Sequence, residues 1–584
     1  MEAYKNFNLA TYIYAYDIDD MTEKQYRDKL QSFINTIHID KIYIENHRGV
    51  VDIPVEKLRA FKKISEELGL KTAGGITCTA FVNKIRKPSY YDTMCYTDPA
   101  HRKECLRYAK ELAQVFDEII LDDFFFTACR CEMCIDAKGD LSWEEYRLKL
   151  MEDFSKELVA EAKAVNPNLK FVIKFPNWYE SYQECGYNPE KEKDIFDGIY
   201  TGTETRTPFD SQHLQRYTSY SIMRLMENTA PGRNGGGWVD LFGSFERVTN
   251  AFEQMEATLL GGAKEINLWN FSLYGEWKNL PNLADYFYGC DQRMDLIGKP
   301  AGTLVWEPFN GNAEGQIYNY LGMRGTGLEL SPYFDERVKT VFCTESTAKD
   351  PDSLNKIKAF VRNGGNAVVT LAYYREMYDK GIRDMSSVTL TSRHVLCKDY
   401  RINNANYYMT TYVVEGKEPI MLEAINYSTN ASHCNIAGRV GECSYPIMTE
   451  DNYGKGRFFI LNLPDDYADI YKLPQEVIAT INKHISMGLN AYISSEEKVS
   501  MYAFDNEKYI IRNFADHKAE IHFVVRGENY GIRNNETGVV YTEKRKLPAP
   551  SFMPDAVTFI AEPEEYEYIL EVGAGASALF EVKR

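Results

Sequence analysis

Asp122-Asp123 closes the apolar run Glu118-Ile119-Ile120-Leu121, and a pair of acids after such a run has no packing reason to be there. Hydrolysis of a glycosidic bond calls on two carboxyl groups, one protonating the leaving oxygen and the other acting as nucleophile or activating water. Adjacent carboxylates also push one pKa upward, which prepares a proton donor. A second acid, Glu204, closes the run Tyr200-Thr201-Gly202-Thr203, with Arg206 two residues on, able to hold Glu204 or a substrate oxygen. Asp123 and Glu204 are the catalytic candidates, with Asp122 beside them. A structural role stays open for each: Asp122-Asp123 bonding the surrounding backbone or orienting the cysteine loop that follows, Glu204 and Arg206 forming an ion pair.

That loop is the second chemical signal. Cys129, Cys131 and Cys134 place three thiols within one turn-sized segment, a spacing at which they converge on one tetrahedral ion. Cys95 is the candidate fourth ligand, because it follows the strand before. Four thiolates leave no position for water, so the expected ion is a structural zinc. Reduced cysteines crowded by chance, or a redox pair, are the alternative. No organic cofactor is expected: Gly364-Gly365 is not followed by the Lys-Ser or Lys-Thr of a phosphate cradle.

The elements that must position these groups alternate from Asn8 to about Ser272. Eight short β-branched or aromatic runs can be counted: Leu9–Tyr16, Lys41–Glu45, Lys71–Cys78, Glu118–Asp122, Lys170–Phe175, Gly198–Gly202, Gly237–Phe242 and Glu265–Asn270. Between them lie amphipathic stretches such as Glu23–Ile37, Val55–Leu68, Pro99–Val115 and Ser142–Val165, with a short irregular crossover at Tyr179–Phe196. Eight βα units predict a closed TIM (β/α)8 barrel over residues 1–298, with a doubly wound open sheet as the structural rival. Active sites of such barrels sit at the carboxyl ends of the strands. The polar and aromatic residues there, Asp17, Glu45, His47, Lys174, Trp178, Arg206, Trp238, Asp240, Trp269 and Asn270, are the expected sugar contacts.

Residues 299–489 read as a flavodoxin-like α/β domain, with strands at Gly302–Trp306, Thr340–Cys343, Ala367–Leu371 and Arg457–Leu463 and helices at Ser353–Val361 and Gln475–Met487. Residues 490–584 alternate without a helix, including a run at Val557–Ile560, and predict an antiparallel β-sandwich. At 584 residues, more than one core is required. The net charge of −18 argues against nucleic-acid and anionic-membrane partners, and no run of about 20 apolar residues is present for a membrane span. Aromatic residues reach 13%, with 42 Tyr, suited to the faces and edges of a carbohydrate substrate. Twelve cysteines without a disulfide-like framework, and an N-terminus lacking the order of a secretory signal, predict a cytoplasmic setting, a leader absent from this sequence being the alternative.

The order of parts resembles glycoside hydrolase family 42, the microbial β-galactosidases, whose barrel is followed by a flavodoxin-like trimerisation domain and a small β-domain. Members of that family often carry a zinc site built from one upstream cysteine and a C-x-C-x2-C cluster after the fourth strand, which here implies Cys95, Cys129, Cys131 and Cys134. The resemblance extends over nearly the whole chain in architecture, but only the cysteine motif is specific. It implies a homo-oligomer, a trimer rather than a dimer. The catalytic residues depart from it: family 42 uses an Asn-Glu pair on strand four and a Glu on strand seven, where this chain has Asp122-Asp123 and Asp240. β-Galactosidase activity is therefore not inherited. Asp-Asp after strand four is also similar to the substrate-assisted hexosaminidases of clan K, and an Asp on strand four with an acid on strand six to the α-galactosidase clan. The expectation is a divergent glycoside hydrolase. A sugar-binding barrel without turnover, or a metal-dependent isomerase or lyase, are the rivals; the latter has only nine scattered histidines to draw on.

Overall fold

The computed structural model describes residues 2–79, 93–207, 214–245, 247–312, 314–403, 411–547 and 563–584. The chain forms two compact units, Met1–Leu296 and Ile297–Arg584.

In the first unit eight parallel strands close a barrel: β1 (Asn8–Ile13), β2 (Lys41–Glu45), β3 (Lys71–Ile76), β4 (Glu118–Leu121), β5 (Lys170–Phe175), β6 (Gly198–Gly202), β7 (Asn234–Asp240) and β8 (Glu265–Trp269). Closure is made by β8 on β1, with Leu9 opposite Ile266. The helices outside begin where sequence chemistry says they should. Thr22 with Gln25, and Ser142 with Glu145, form reciprocal capping boxes for Glu23–Thr36 and Trp143–Val165, and Asp98 caps Pro99–Ala113. The fifth crossover is short, with one-turn and two-turn helices at Tyr182–Cys185 and Pro189–Ile195.

Strand β7 starts three residues before its expected position, at Asn234. Gly235-Gly236 reads as loop in sequence, but a Cβ on Gly236 would overlap the Glu265 backbone carbonyl of β8, so bare backbone is what lets these strands meet.

Side chains of a strand alternate between its faces. Inside the barrel Ala10, Tyr12, Tyr43, Ala73, Ile120, Val172, Tyr200 and Trp238 form one packed cluster. Two residues further along the same inward row, from Tyr43, Ile120, Val172 and Trp238, stand Glu45, Asp122, Lys174 and Asp240; four beyond Tyr200 stands Glu204. The apolar interior thus gives way to a charged layer at the carboxyl end.

In the second unit a nine-stranded sheet runs Leu328–Ser331, Thr303–Trp306, Thr340–Cys343, Asn366–Thr370, Gly456–Leu461, Cys443–Tyr453, His433–Val440, His394–Asn403 and Thr411–Glu423. Its first five strands are parallel in the flavodoxin order. The edge strand Leu328–Ser331 and the four antiparallel strands were not expected from sequence. Thr411–Glu423 carries a Gly, a Pro and four charges, and His394–Asn403 exposes Leu396 while burying Cys397, so neither reads as a core strand. The sandwich packs Ala491–Ser494, Ala519–Arg526, Glu565–Val572 and Arg545–Lys546 against a six-stranded sheet built on Val499–Phe504, Lys508–Asn513 and Ser577–Lys583. Pro300–Ala301 pairs with Ala503 and Phe504, so the sandwich takes its first strand from before the α/β layer, and the division at residue 490 is not clean in space. The expected strand Val557–Ile560 lies outside the described residues.

Candidate active site

A cavity of about 960 Å³ opens at the carboxyl face of the barrel. Asp122, Asp123, Lys174, Trp178, Glu204, Arg206, Trp238, Asp240 and Trp269 all line it. At its floor the Lys174 ammonium, 1% exposed, lies 2.8 Å from Glu204 Oε1, 3.1 Å from Asp123 Oδ2 and 3.7 Å from Asp122 Oδ1, and 4.3 Å from the centre of the Trp238 ring. Burial lowers a lysine pKa, but the three carboxylates outweigh it and hold Lys174 charged. The distances from Lys174 to Asp123 and Glu204 sum to 5.9 Å, an upper limit on the gap between the two bonded oxygens.

The adjacent acids are driven apart. Asp122 is buried, which favours its neutral form, yet Arg48 at 2.6 Å together with Lys174 pulls its pKa down to about 2; it also accepts from Thr77 Oγ1 at 3.1 Å and from the Asp123 amide at 2.8 Å. Asp123, turned out of the inward row into the loop, is pushed up to about 7 by burial and by the Asp122 and Glu204 carboxylates, against the pull of Lys174. One acid is fixed as an anion and its neighbour is tuned to give up a proton near neutrality.

Arg206 pairs with Asp240 at 2.8 Å and not with Glu204, whose cation is Lys174. The Asp240 pKa is raised by burial and by Glu204, partly offset by Arg206. Gly202 makes room for Glu204: a Cβ there would stand 2.8 Å from Glu204 Oε2 and 3.0 Å from the Pro176 backbone.

Four expected sugar contacts do not line the cavity. Glu45 is buried beneath it and accepts from Tyr12 OH at 2.7 Å, the Ala15 amide at 2.7 Å and Arg48 at 2.9 Å, as well as from Thr77. His47 is stacked on Tyr108 at 3.8 Å, with its ring nitrogens 2.6 Å from Asp52 and 2.7 Å from the Thr79 carbonyl. Asp17 accepts from Ser272 Oγ, and Asn270 caps the helix Phe271–Glu276 through the Leu273 amide. Polar residues at strand ends serve the scaffold as readily as a ligand. Sequence reasoning missed Arg48, Phe124, Phe126, Arg130, Arg147, Asn177 and Phe242, which do line the cavity. Their signal, loops after β2, β4, β5 and β7 rich in aromatics and arginine, was present but unspecific.

Cys95, Cys129, Cys131 and Cys134 come together with all four sulfurs within 4.8 Å of one another. Cys95 lies 3.5 Å from Cys134 and 3.9 Å from Cys131, and Cys131 lies 3.7 Å from Cys134. Thr97 Oγ1 approaches the Cys134 sulfur at 3.1 Å, and Tyr146 and Trp143 pack against the cluster.

The closed parallel barrel thus gathers several acids around an aromatic-walled cavity at its carboxyl face, where barrels of this fold carry their active sites. Residues 1–280 match the family described as "Probable glycosyl hydrolase, catalytic domain", and residues 490–562 match "Probable glycosyl hydrolase, C-terminal domain". An uncharacterized protein of Saccharolobus solfataricus is 27% identical over 294 residues, 45% of this chain and 48% of that protein, so the match spans about half of the relative's length. Gan42B, a GH42 β-galactosidase from G. stearothermophilus, superposes with a TM-score of 0.64 at 11% identity over 99% of both chains. α-L-Fucosidase isoenzyme 2 from Paenibacillus thiaminolyticus does so with 0.59 at 11% identity, over 99% of this chain and 100% of that one. At such identities the likeness is one of fold alone. No helix among the described residues is long and apolar enough to cross a membrane.

Proposed function

We propose that the chain hydrolyses a glycoside with retention of configuration, Asp123 serving as general acid and base and Glu204 as nucleophile. The observation that carries this reading is the single buried ammonium of Lys174 shared by both carboxyls. The 5.9 Å limit applies to their lysine-bonded oxygens and keeps the two carboxyls close together, which favours the roughly 5–5.5 Å spacing of a retaining pair. In the first step the Asp123 carboxyl gives its proton to the glycosidic oxygen as the C1–O bond breaks, and a Glu204 oxygen bonds to C1. In the second, the Asp123 carboxylate takes a proton from water while the water oxygen attacks C1 and frees Glu204. Lys174 holds the Glu204 carboxylate in position through a 2.8 Å contact, and Arg48 holds Asp122 as a fixed charge beneath.

The four cysteines fit a structural zinc. Bonds of about 2.3 Å in a tetrahedron give sulfur separations of about 3.8 Å, which the 3.5–3.9 Å spacings among Cys95, Cys131 and Cys134 match, with Cys129 within 4.8 Å of them, whereas a disulfide needs about 2.05 Å. With four thiolates it would stabilise the loop after β4 and leave the chemistry to the carboxyls.

A panel of aryl α- and β-glycosides tests the reading, with the anomer of the first product read by NMR. Turnover lost in Asp123→Asn and in Glu204→Gln, with the starting anomer retained, is expected. An inverted first product overturns the assigned mechanism, full activity in both variants overturns the residues, and sugar binding without any turnover points to a binding protein.

A further inference from the structure

Cations of the cavity floor are matched to acids: Arg48 to Glu45 and Asp122, Lys174 to Asp123 and Glu204, Arg206 to Asp240. The wall formed by the cysteine loop is different. Arg130 and Arg147 both line the cavity, and among the described residues neither pairs with a carboxylate. Arg147 is 4% exposed, and its guanidinium donates hydrogen bonds to main-chain carbonyls, those of Glu184 and, at 3.4 Å, Cys129. Arg130 is exposed, and both guanidinium groups sit over the ring of Trp143, at 5.6 and 4.8 Å from its centre. Lys138 approaches the same ring at 5.5 Å, adding a third positive charge behind the wall. The acid of this region that also lines the cavity is Glu184, which offers Arg147 its backbone oxygen rather than its carboxylate.

A buried guanidinium without a carboxylate partner is costly, and a protein whose net charge is −18 has acids to spare for one. We infer that Arg130 and Arg147 form an oxyanion subsite, and that the glycoside this enzyme takes carries a carboxylate or sulfate ester, as in a uronide or a sulfated sugar. The inference rests on the glycosidase reading and narrows its substrate class. It gives the cavity a polarity: the carboxylate floor faces the anomeric carbon, where positive charge develops, and the arginine wall faces the substituent. Guanidinium suits the second task because its planar fork matches a carboxylate or sulfate edge.

The test is binding to the full chain, with Asp123→Asn used to prevent turnover, of glucuronate, galacturonate and galactose 6-sulfate beside their neutral parents glucose and galactose. The acidic sugars are expected to bind at least about tenfold more tightly than the neutral ones, to lose that advantage in Arg130→Ala, and to weaken as salt is raised from ~50 to ~500 mM. Whether uronates or the sulfate bind better distinguishes the two oxyanions. Arg147→Lys, which keeps the charge but not the fork, is expected to bind with intermediate strength, and unchanged zinc content and melting temperature in each variant separate a lost subsite from a damaged loop. Equal binding of neutral and acidic sugars, no binding of any acid, or acid binding indifferent to Arg130→Ala overturns the inference and leaves the arginines as counterions of the thiolate cluster. In each of those cases hydrolysis of neutral aryl glycosides, lost in Asp123→Asn, still upholds the glycosidase reading.

Discussion

Lys174 Nζ stands 2.8 Å from Glu204 Oε1 and 3.1 Å from Asp123 Oδ2, so that one buried ammonium joins the two carboxyls at the cavity floor. Replacing Lys174 with Met leaves Asp123 and Glu204 without the cation they share. We expect kcat to fall at least about a hundredfold, as for removal of a general acid or base, with a smaller change in KM. The remaining activity should show its alkaline limb at higher pH, because losing a positive neighbour raises the Asp123 pKa further. An alkaline limb that stays in place or moves down would show that Lys174 does not set the acid.

In the wild type the acid form of Asp123 is lost as pH rises through about 7. The kcat/KM profile is therefore expected to fall on its alkaline side near that value, and Asp123→Glu to keep a displaced limb of the same sign. A profile flat from about pH 6 to 9 would remove Asp123 from the proton-donor role.

The same shift bears on stability. The folded state holds the Asp123 proton between the usual carboxylate pKa near 3.9 and about 7, a range in which the unfolded chain has released it. The wild type therefore loses stability as pH rises across that interval. Asp123→Asn carries no such proton, so its melting temperature relative to wild type should improve from about pH 4 to about pH 8. Parallel melting curves for the two proteins would contradict this.

Gly202→Ala offers a test that leaves every catalytic group chemically intact. The added methyl meets Glu204 Oε2 at 2.8 Å on one side and unyielding Pro176 backbone at 3.0 Å on the other, so the carboxylate must move. Activity is expected to drop by about two orders of magnitude, since displacement of about 1 Å suffices for that, while circular dichroism remains native. Wild-type turnover by a folded Gly202→Ala protein would mean that the position of Glu204 is not critical.

Cys131→Ser, at the most accessible of the four thiols, is expected to abolish zinc content measured by plasma emission spectrometry and to lower the melting temperature, each kcal/mol costing about 2–4 °C in a domain of comparable size. A metal-free wild type, prepared without chelators, would instead assign the cluster to reduced thiols.

The sequence determined a good deal by itself. Eight short apolar runs separated by capped amphipathic helices predict parallel strands buried on both faces and, by their number, a barrel, while the doubly wound sheet stayed open until the pairing of β8 with β1 decided against it. Strand-end chemistry was legible too, in Asp122-Asp123, Lys174, Glu204 and Asp240, as was the cysteine spacing. Local pattern could not separate Glu45 and His47, consumed by Tyr12, Thr77 and Asp52, from residues that face the cavity, because burial depends on what crosses over from other strands. Nor could it pair charges: Arg206 sits two residues from Glu204 in the chain yet pairs with Asp240 on the next strand, while Glu204 takes a lysine thirty residues away. Partners and pKa values follow from distances of a few ångströms across strands, and those distances exist only once the barrel has closed.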